Sequence, residues 1–154
     1  MTATDSISVS RRIDASAKDI FAVLTLPSRH AEIDGSGFIR SVDHGDRIQE
    51  TGTTFTMNME GPHMGGEYQT DNVVSAYSEN QMVGWKTAPA GQEPPGWEWL
   101  WELKADGSDA TDVTLTYDWS KVTDQKLLDK LHFPLVKEEE LEQSLANLAS
   151  AVSN

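Results

Sequence analysis

The chain has 154 residues and contains no cysteine. This absence excludes thiol nucleophiles, disulfide frameworks and zinc sites built from cysteine. A chain of this length buries roughly two-thirds of the surface that its unfolded form exposes, so it needs neither a disulfide nor a metal ion to hold a core together. We therefore expect a single domain over residues 1–154 in a reducing, cytoplasmic compartment.

Basic residues and long apolar runs are also scarce. The chain has 12 Lys and Arg against 25 Asp and Glu, which gives a formal net charge of −13. An acidic surface repels phosphate backbones and anionic lipids, so we expect no nucleic-acid partner. No segment approaches the roughly 20 apolar residues that span a bilayer, and the N-terminus lacks the pattern of a secretory signal. These absences predict a cytoplasmic protein without membrane insertion.

The short motifs of several enzyme classes are missing as well. The sequence has no GxSxG elbow, P-loop or GxGxxG, which disfavours hydrolase, NTPase and dinucleotide-binding functions. It has no HExxH, and no two of the four histidines are separated by four residues. His30, Glu32 and Asp34 are close in sequence, but positions i, i+2 and i+4 do not share one helix face. We therefore predict no metal site and no cofactor.

Hydrophobic periodicity predicts one strand and two short helices at the start of the chain. Residues 7–13 alternate between polar and apolar, as a strand with one buried face does. Ser16 is expected to cap a helix that Pro27 ends, and a second short helix is predicted over 28–33.

Strands and turns are predicted from there to residue 121, followed by helices. The predicted strands cover residues 38–42, 53–60, 67–76, 81–87, 96–103 and 112–120. Leu127, Leu128 and Leu131 predict a short amphipathic helix, and apolar residues at helical spacing after Pro134 predict a long C-terminal one. Helices segregated against an antiparallel sheet define the α+β class.

Large side chains occupy the predicted inward positions of these strands. In the segment GWEWLWEL (96–103) three tryptophans alternate with other residues, and Glu98 and Glu102 are expected on the solvent face. Such side chains either fill the core or line an apolar pocket for a small molecule. The residues predicted to line it are Phe55, Met57, Met59, Trp85, Trp97, Trp99, Trp101, Tyr117 and Trp119.

The order of these segments resembles a known superfamily. The opening unit RRIDASAKDIFAVLTLPSRHAEIDGSG is similar to the strand–helix–helix start of the SRPBCC (START/Bet v 1-like) superfamily, and GTTFTMN, YQTDNVVSAYSENQMVGWKT and WEWLWELKADGSDATDVTLTYDWS follow in its order. The chain most resembles the polyketide cyclase/dehydrase and lipid-transport-like branch. The resemblance implies a helix-grip fold, in which a seven-stranded antiparallel sheet curves around a long C-terminal helix and encloses a deep hydrophobic cavity. Many relatives carry a tryptophan after the second helix, where this chain has AEID (31–34).

The resemblance implies that the protein binds a small hydrophobic or aromatic ligand, lipid or polyketide-like, between the sheet and the C-terminal helix. One alternative is a polyketide cyclase/dehydrase-type enzyme that uses acid–base catalysis in the same cavity. Its candidate catalytic residues are His30 and Asp34 near the predicted mouth, Tyr117 on an inward strand position, and His63 or His132 if their segments turn inward. The other alternative is an Hsp90-activator-like interaction module. The sequence leaves open whether the protein is a monomer or a homodimer.

Overall fold

A computed structural model of the chain describes residues 5–131 and 133–153, so His132 lies outside the described residues. The described chain forms seven strands and four α-helices, joined in places by short 3-10 turns. The strands are β1 (Ser6–Ile13), β2 (Ile39–His44), β3 (Thr54–Gly61), β4 (Gly66–Ser78), β5 (Met82–Pro89), β6 (Glu98–Ala105) and β7 (Thr111–Asp118). The helices are α1 (Ala17–Leu24), α2 (His30–Ile33), α3 (Gln125–Leu131) and α4 (Glu138–Val152).

All seven strands belong to one antiparallel sheet, in the order β1-β7-β6-β5-β4-β3-β2. Each strand from β2 to β6 pairs with the next along the chain, as hairpins do, whereas β1 forms the far edge by pairing with β7. The predicted α+β class and helix-grip arrangement are confirmed: α1 and α2 follow strand 1, and α4 ends the described chain.

The helix ends follow from local hydrogen bonds. The Ser16 side chain accepts a hydrogen bond from the Asp19 backbone nitrogen at 3.1 Å, which satisfies one of the free N–H groups at the start of α1. At the start of α4, the Glu140 carboxylate accepts a hydrogen bond from the Lys137 backbone nitrogen at 2.9 Å. The neighbouring Glu138 and Glu139 are exposed, so this charge run is a solvated first turn that favours the helix N-terminus.

Two tryptophans that the sequence assigned to strands lie just outside them. The strand β6 begins at Glu98, one residue after Trp97, and β7 ends at Asp118, one residue before Trp119. Gly96 lies just before β6 with φ +132°, and a Cβ there would overlap the Lys121 carbonyl oxygen. Only glycine therefore fits where this segment lies on the backbone of Lys121 and Val122.

The long helix packs against one side of the sheet and against the short helices. Its main partners are β1, α1 and α2, with a smaller contact to β7. The buried face of α4 consists of Leu141, Ser144, Leu145 and Leu148. None of the helices in the described ranges is long and apolar enough to cross a membrane.

Gly35 lets the turn after α2 lie directly on α4. Its backbone nitrogen donates a hydrogen bond to Ser144 Oγ at 2.8 Å. A Cβ at this position would lie 2.7 Å from the Ser144 nitrogen and would also meet the Glu140 carbonyl oxygen. Since backbone atoms of a helix cannot move aside cheaply, only glycine fits this contact, which fixes the position of His30 and Asp34 relative to α4.

We predict that Gly35→Ala lowers the free energy of unfolding by about 2 kcal/mol or more, because the added methyl group overpacks the contact with α4. The matched control is Gly37→Ala in the same loop, where a Cβ meets no atom within 4 Å and only the positive φ of +75° opposes the change. That conformation costs about 1 kcal/mol. Urea denaturation of both variants measures the difference, and equal destabilisation would contradict the close approach of Gly35 to α4.

Candidate functional site

The register of the sheet brings large and polar side chains from distant segments into two adjoining rows. Phe55 pairs with Asn72, which pairs with Thr87. Trp85 pairs with Trp99, and Trp99 pairs with Tyr117. Because Trp85 and Thr87 lie two residues apart on β5, both rows face the same side of the sheet. This side faces α2 and α4, and the space between them is incompletely filled.

The unfilled space consists of two compartments that share part of their walls. The inner compartment has a volume of about 100 Å³ and is lined by residues of the sheet, α2 and α4. The outer compartment has a volume of about 190 Å³ and extends towards α3 and the β3–β4 turn. Six residues, from the sheet and from the segments beside it, belong to the walls of both compartments: Phe38, Met59, Thr70, Thr87, Trp99 and Val136.

Most of the predicted lining residues face one of these compartments. Those that line the inner one are Phe55, Met57, Met59, Trp85, Trp99 and Trp101. Trp97 and Tyr117 line the outer one. Trp119 lines neither, because it lies beyond the end of β7 and stacks on Phe133 with ring centroids 6.2 Å apart. The structure therefore separates the predicted set into two groups and leaves Trp119 outside both.

His30 is buried, with a relative exposure of 3%, rather than near an exposed mouth as its position in the sequence suggested. One ring face stacks on Trp85 at 4.9 Å between centroids, and Phe55 meets the ring edge-on at 5.4 Å. The Nε2 atom lies 2.7 Å from the Leu24 carbonyl oxygen. Since a carbonyl oxygen only accepts, Nε2 carries the hydrogen, and Nδ1 of the neutral ring has a free lone pair.

The Nδ1 atom of His30 is buried and has no hydrogen-bond partner among the described residues. Burial lowers the pKa of His30 from 6.5 to about 4, although the hydrogen bond to Leu24 and the charge of Asp34 act in the opposite direction. The ring is therefore neutral at physiological pH. It lines the inner compartment as an aromatic surface that carries one unused hydrogen-bond acceptor.

Asp34 lines the same compartment but has its own partners. Its Oδ1 accepts hydrogen bonds from the Ser36 backbone nitrogen at 3.0 Å and the Ser36 hydroxyl at 2.7 Å. Its Oδ2 accepts one from the Ile39 backbone nitrogen at 2.9 Å. These bonds close the turn between α2 and β2, so the carboxylate has a structural role in shaping the compartment.

Tyr117 is buried on β7 and stacks on Trp99 with ring centroids 4.2 Å apart. Burial raises the pKa of Tyr117 above its ordinary value, with the nearby Leu135 backbone opposing the change. The phenol therefore stays protonated. It lines the outer compartment, whereas His30 and Asp34 line the inner one, so the three candidate catalytic residues do not converge on one point.

A second polar pair borders the outer compartment. Burial raises the pKa of Tyr68 to about 12, and the charge of Asp34 adds to the shift. Burial lowers the pKa of His63. Its Nε2 atom and the Tyr68 hydroxyl are 3.1 Å apart and share a hydrogen bond. The His63 ring also packs on Phe38 at 4.7 Å between centroids. Tyr68 and Phe38 were not singled out in the sequence, because their contacts depend on how the β3–β4 turn folds over β2.

Three polar residues on β4 and β5 were also missed. Thr70, Asn72 and Thr87 are all buried and line the inner compartment. The Thr87 hydroxyl donates to Asn72 Oδ1 at 2.7 Å, and Asn72 Nδ2 donates to the Phe55 carbonyl at 3.3 Å. The sequence signal was strand parity: Thr70 and Asn72 alternate in step with the apolar Val74, and Thr87 with Trp85.

Within the described ranges, no group of three or more His, Asp or Glu side chains is arranged to hold a metal ion.

No family model matches the sequence. An uncharacterized protein of Mycobacterium tuberculosis is 31% identical over 113 residues, which make up 73% of this chain and 47% of that protein. The chain therefore spans about half the length of this relative.

Solved structures share the fold at low sequence identity. A protein of Chromobacterium violaceum superposes with a TM-score of 0.66 and 14% identity, over 97% of this chain and 98% of that one. The Zhui aromatase/cyclase of a Streptomyces species superposes with a TM-score of 0.64 and 12% identity, over 96% of this chain and 91% of that one. These likenesses confirm the fold that the sequence predicted.

We predict that the burial of neutral His30 makes the protein less stable in acid. Between pH 6.5 and about 4, the unfolded imidazole takes up a proton that the folded one does not. The resulting stabilisation is fully present above pH 6.5 and falls by about 3 kcal/mol as the pH decreases to about 4. Urea denaturation across this range measures it, with His30→Gln as the control that cannot titrate there but can still donate to Leu24. A difference between the two proteins that does not change with pH would contradict the prediction.

Proposed function

We propose that this chain, which has the helix-grip fold of the SRPBCC (START/Bet v 1-like) superfamily, binds a small aromatic molecule between its sheet and α4. The observation that carries the proposal is the pair of joined compartments, about 100 and 190 Å³ in volume, with aromatic and methionine walls. Ligand sites in proteins are typically concave and mostly apolar, with a few polar groups that fix orientation. Thr70, Asn72, Thr87 and His30 are buried polar residues of this site.

The size of the compartments favours a ligand of one or two fused rings. Sites for drug-sized molecules have volumes of roughly 300–1,000 Å³, whereas an apolar cavity of about 150 Å³ accepts benzene. Aromatic ligands also match the walls, because the rings of Phe55, Trp85 and Trp99 line the inner compartment. A long acyl chain would need a longer cavity. Of the two predicted ligand types, we therefore favour an aromatic molecule over a lipid.

The cyclase/dehydrase alternative has one observation in its favour, which is the aromatase/cyclase among the solved structures with this fold. The candidate proton-transfer groups argue for binding instead. A general base works best when its pKa is near the operating pH, and the pKa of His30 is about 4. The Asp34 oxygens hold the α2–β2 turn, and Tyr117 lines the other compartment. We therefore propose binding without turnover as the primary function.

We predict that the protein binds naphthalene with a negative heat-capacity change, because the rings leave water for an apolar cavity. Isothermal titration calorimetry at several temperatures measures both the affinity and this change. Thr70→Phe is expected to weaken binding at least about tenfold, since Thr70 lies at the junction of the two compartments and a phenyl ring there would occupy them.

The matched control is Val73→Phe, which adds a phenyl group to the same strand. Val73 pairs with Lys86 and is half-buried, on the opposite face from Thr70 by strand alternation. This variant should bind naphthalene as the parent protein does. The proposal fails if the parent protein shows no heat of binding for naphthalene or related two-ring aromatics, or if both variants weaken binding equally.

A further inference from the structure

We propose that His30 is the polar anchor of the inner compartment, where its Nδ1 accepts a hydrogen bond from a hydroxyl group of an uncharged aromatic ligand. This inference rests on the proposed binding function and names the feature by which the site selects its ligand. It starts from the two ring nitrogens of the buried His30, of which only one has a hydrogen-bond partner among the described residues. The Nε2 atom of His30 is committed to Leu24 at 2.7 Å, while the buried Nδ1 has no partner among the described residues.

The tautomer fixes the chemistry of the ligand group. Because Nε2 carries the hydrogen, Nδ1 can only accept, and a matching ligand has to donate. A hydroxyl group donates, whereas a ketone or an ether does not. Buried polar atoms in folded proteins are nearly always paired, so an uncommitted acceptor in the wall of a cavity favours a ligand that supplies the missing donor.

The surroundings hold the His30 ring in one orientation. The Leu24 carbonyl fixes one nitrogen, Trp85 covers a face at 4.9 Å between centroids, and Phe55 meets the ring edge-on. An acceptor held in this way has little freedom left to lose when a ligand binds. The Nδ1 atom is itself enclosed, so a ligand reaches it as the lining adjusts, and the unbranched Met57 and Met59 in the same wall allow such adjustment.

The charges near His30 disfavour an acidic ligand. Asp34 lines the same compartment with a carboxylate, and its charge acts on His30. A ligand carboxylate here would face a second carboxylate and the lone pair of Nδ1, with no donor from either. Burying a charge without a partner is far more costly than burying a neutral hydroxyl group. The inner compartment should therefore reject the carboxylate of a fatty acid or an aromatic acid.

The polar residues on the sheet side do not provide an equivalent anchor. The Thr87 hydroxyl already donates to Asn72, and Asn72 donates to the Phe55 carbonyl. Together they could still pair with either a donor or an acceptor, since the Thr87 oxygen can accept another hydrogen bond and Asn72 has a second N–H that can donate. The free group on His30, unlike those of Thr87 and Asn72, has a fixed sense, so His30 is the residue that selects a donor.

The test compares four two-ring probes by isothermal titration calorimetry at neutral pH: naphthalene, 2-naphthol, 2-methoxynaphthalene and 2-naphthoate. We expect 2-naphthol to bind about tenfold more tightly than naphthalene and 2-methoxynaphthalene, the effect of one good hydrogen bond in a dry site. The anionic 2-naphthoate should bind at least about a hundredfold more weakly than 2-naphthol. The methoxy probe keeps the oxygen and replaces the donated hydrogen by a methyl group, and naphthalene controls for the ring system.

His30→Phe then identifies the residue responsible. The variant keeps an aromatic ring beside Trp85 but removes Nδ1, so it should bind naphthalene and lose the preference for 2-naphthol. Thr111→Val is the matched control, because Thr111 is a buried polar residue that donates to the Ala15 carbonyl at 2.9 Å and lines neither compartment. It should keep the full preference for 2-naphthol.

The outcomes separate the two proposals. If no probe binds the parent protein, the binding function itself fails. If naphthalene binds but 2-naphthol binds no more tightly than 2-methoxynaphthalene, the binding function stands and the role of His30 as the anchor is overturned. A preference for 2-naphthol that persists in His30→Phe also overturns it. Because the probe series on the parent protein is decisive alone, the inference remains testable even if His30→Phe does not fold.

Discussion

The structure depends on one geometric constraint: a helix of 15 residues cannot cover the inner face of a seven-stranded sheet. Its apolar face packs on β1, α1 and α2. It also contacts β7, but it has fewer contacts with each of the strands from β6 to β2. Other side chains must therefore cover most of the inner faces of the strands from β3 to β6, and at one end Phe21 of α1 packs on Tyr77 of β4. Indoles, phenyl rings and methionines do so only in part, and the two compartments are what remains.

The same constraint explains why polar groups are buried here. The short helix α2 fills the space next to α4 and carries His30 into the interior. Gly35 then lets the chain lie directly on α4, so the turn that follows cannot withdraw from the cavity. Two features reduce the free-energy cost of burying this imidazole: its hydrogen bond to the Leu24 carbonyl, and its neutral, unprotonated state. One nitrogen of this lining residue has no hydrogen-bond partner among the described residues.

Sequence periodicity was sufficient for most of the fold. The clean alternation in 53–60 and 112–120 predicted two strands to within two residues at each end, and Ser16 caps α1 as expected. It placed Trp97 inside β6, whereas the strand begins one residue later, at Glu98. The chain turns there at Gly96, where it meets the backbone of Lys121, and a contact between such distant residues leaves no periodic signal.

The candidate site was harder to predict, because its polar groups acquire their roles through pairing between distant strands. Asn72 is held by Phe55 and Thr87, which lie on the two neighbouring strands. The depth of His30 depends on its stacking against Trp85, more than fifty residues later in the chain. The sequence identified His30 as a candidate for chemistry, but only the packing around it gives the ring its neutral state and its single free acceptor.

Nitrogen NMR of the protein with ¹⁵N-labelled histidine tests the central claim most directly, with the His30 signals assigned by comparison with His30→Gln. The account predicts a neutral ring protonated at Nε2, and an Nδ1 resonance that moves upfield when 2-naphthol is added, as it does when an imidazole nitrogen accepts a hydrogen bond. Naphthalene should leave that resonance nearly unchanged. An Nδ1 resonance that does not move at saturation with 2-naphthol, or a ring protonated at Nδ1, would contradict the claim.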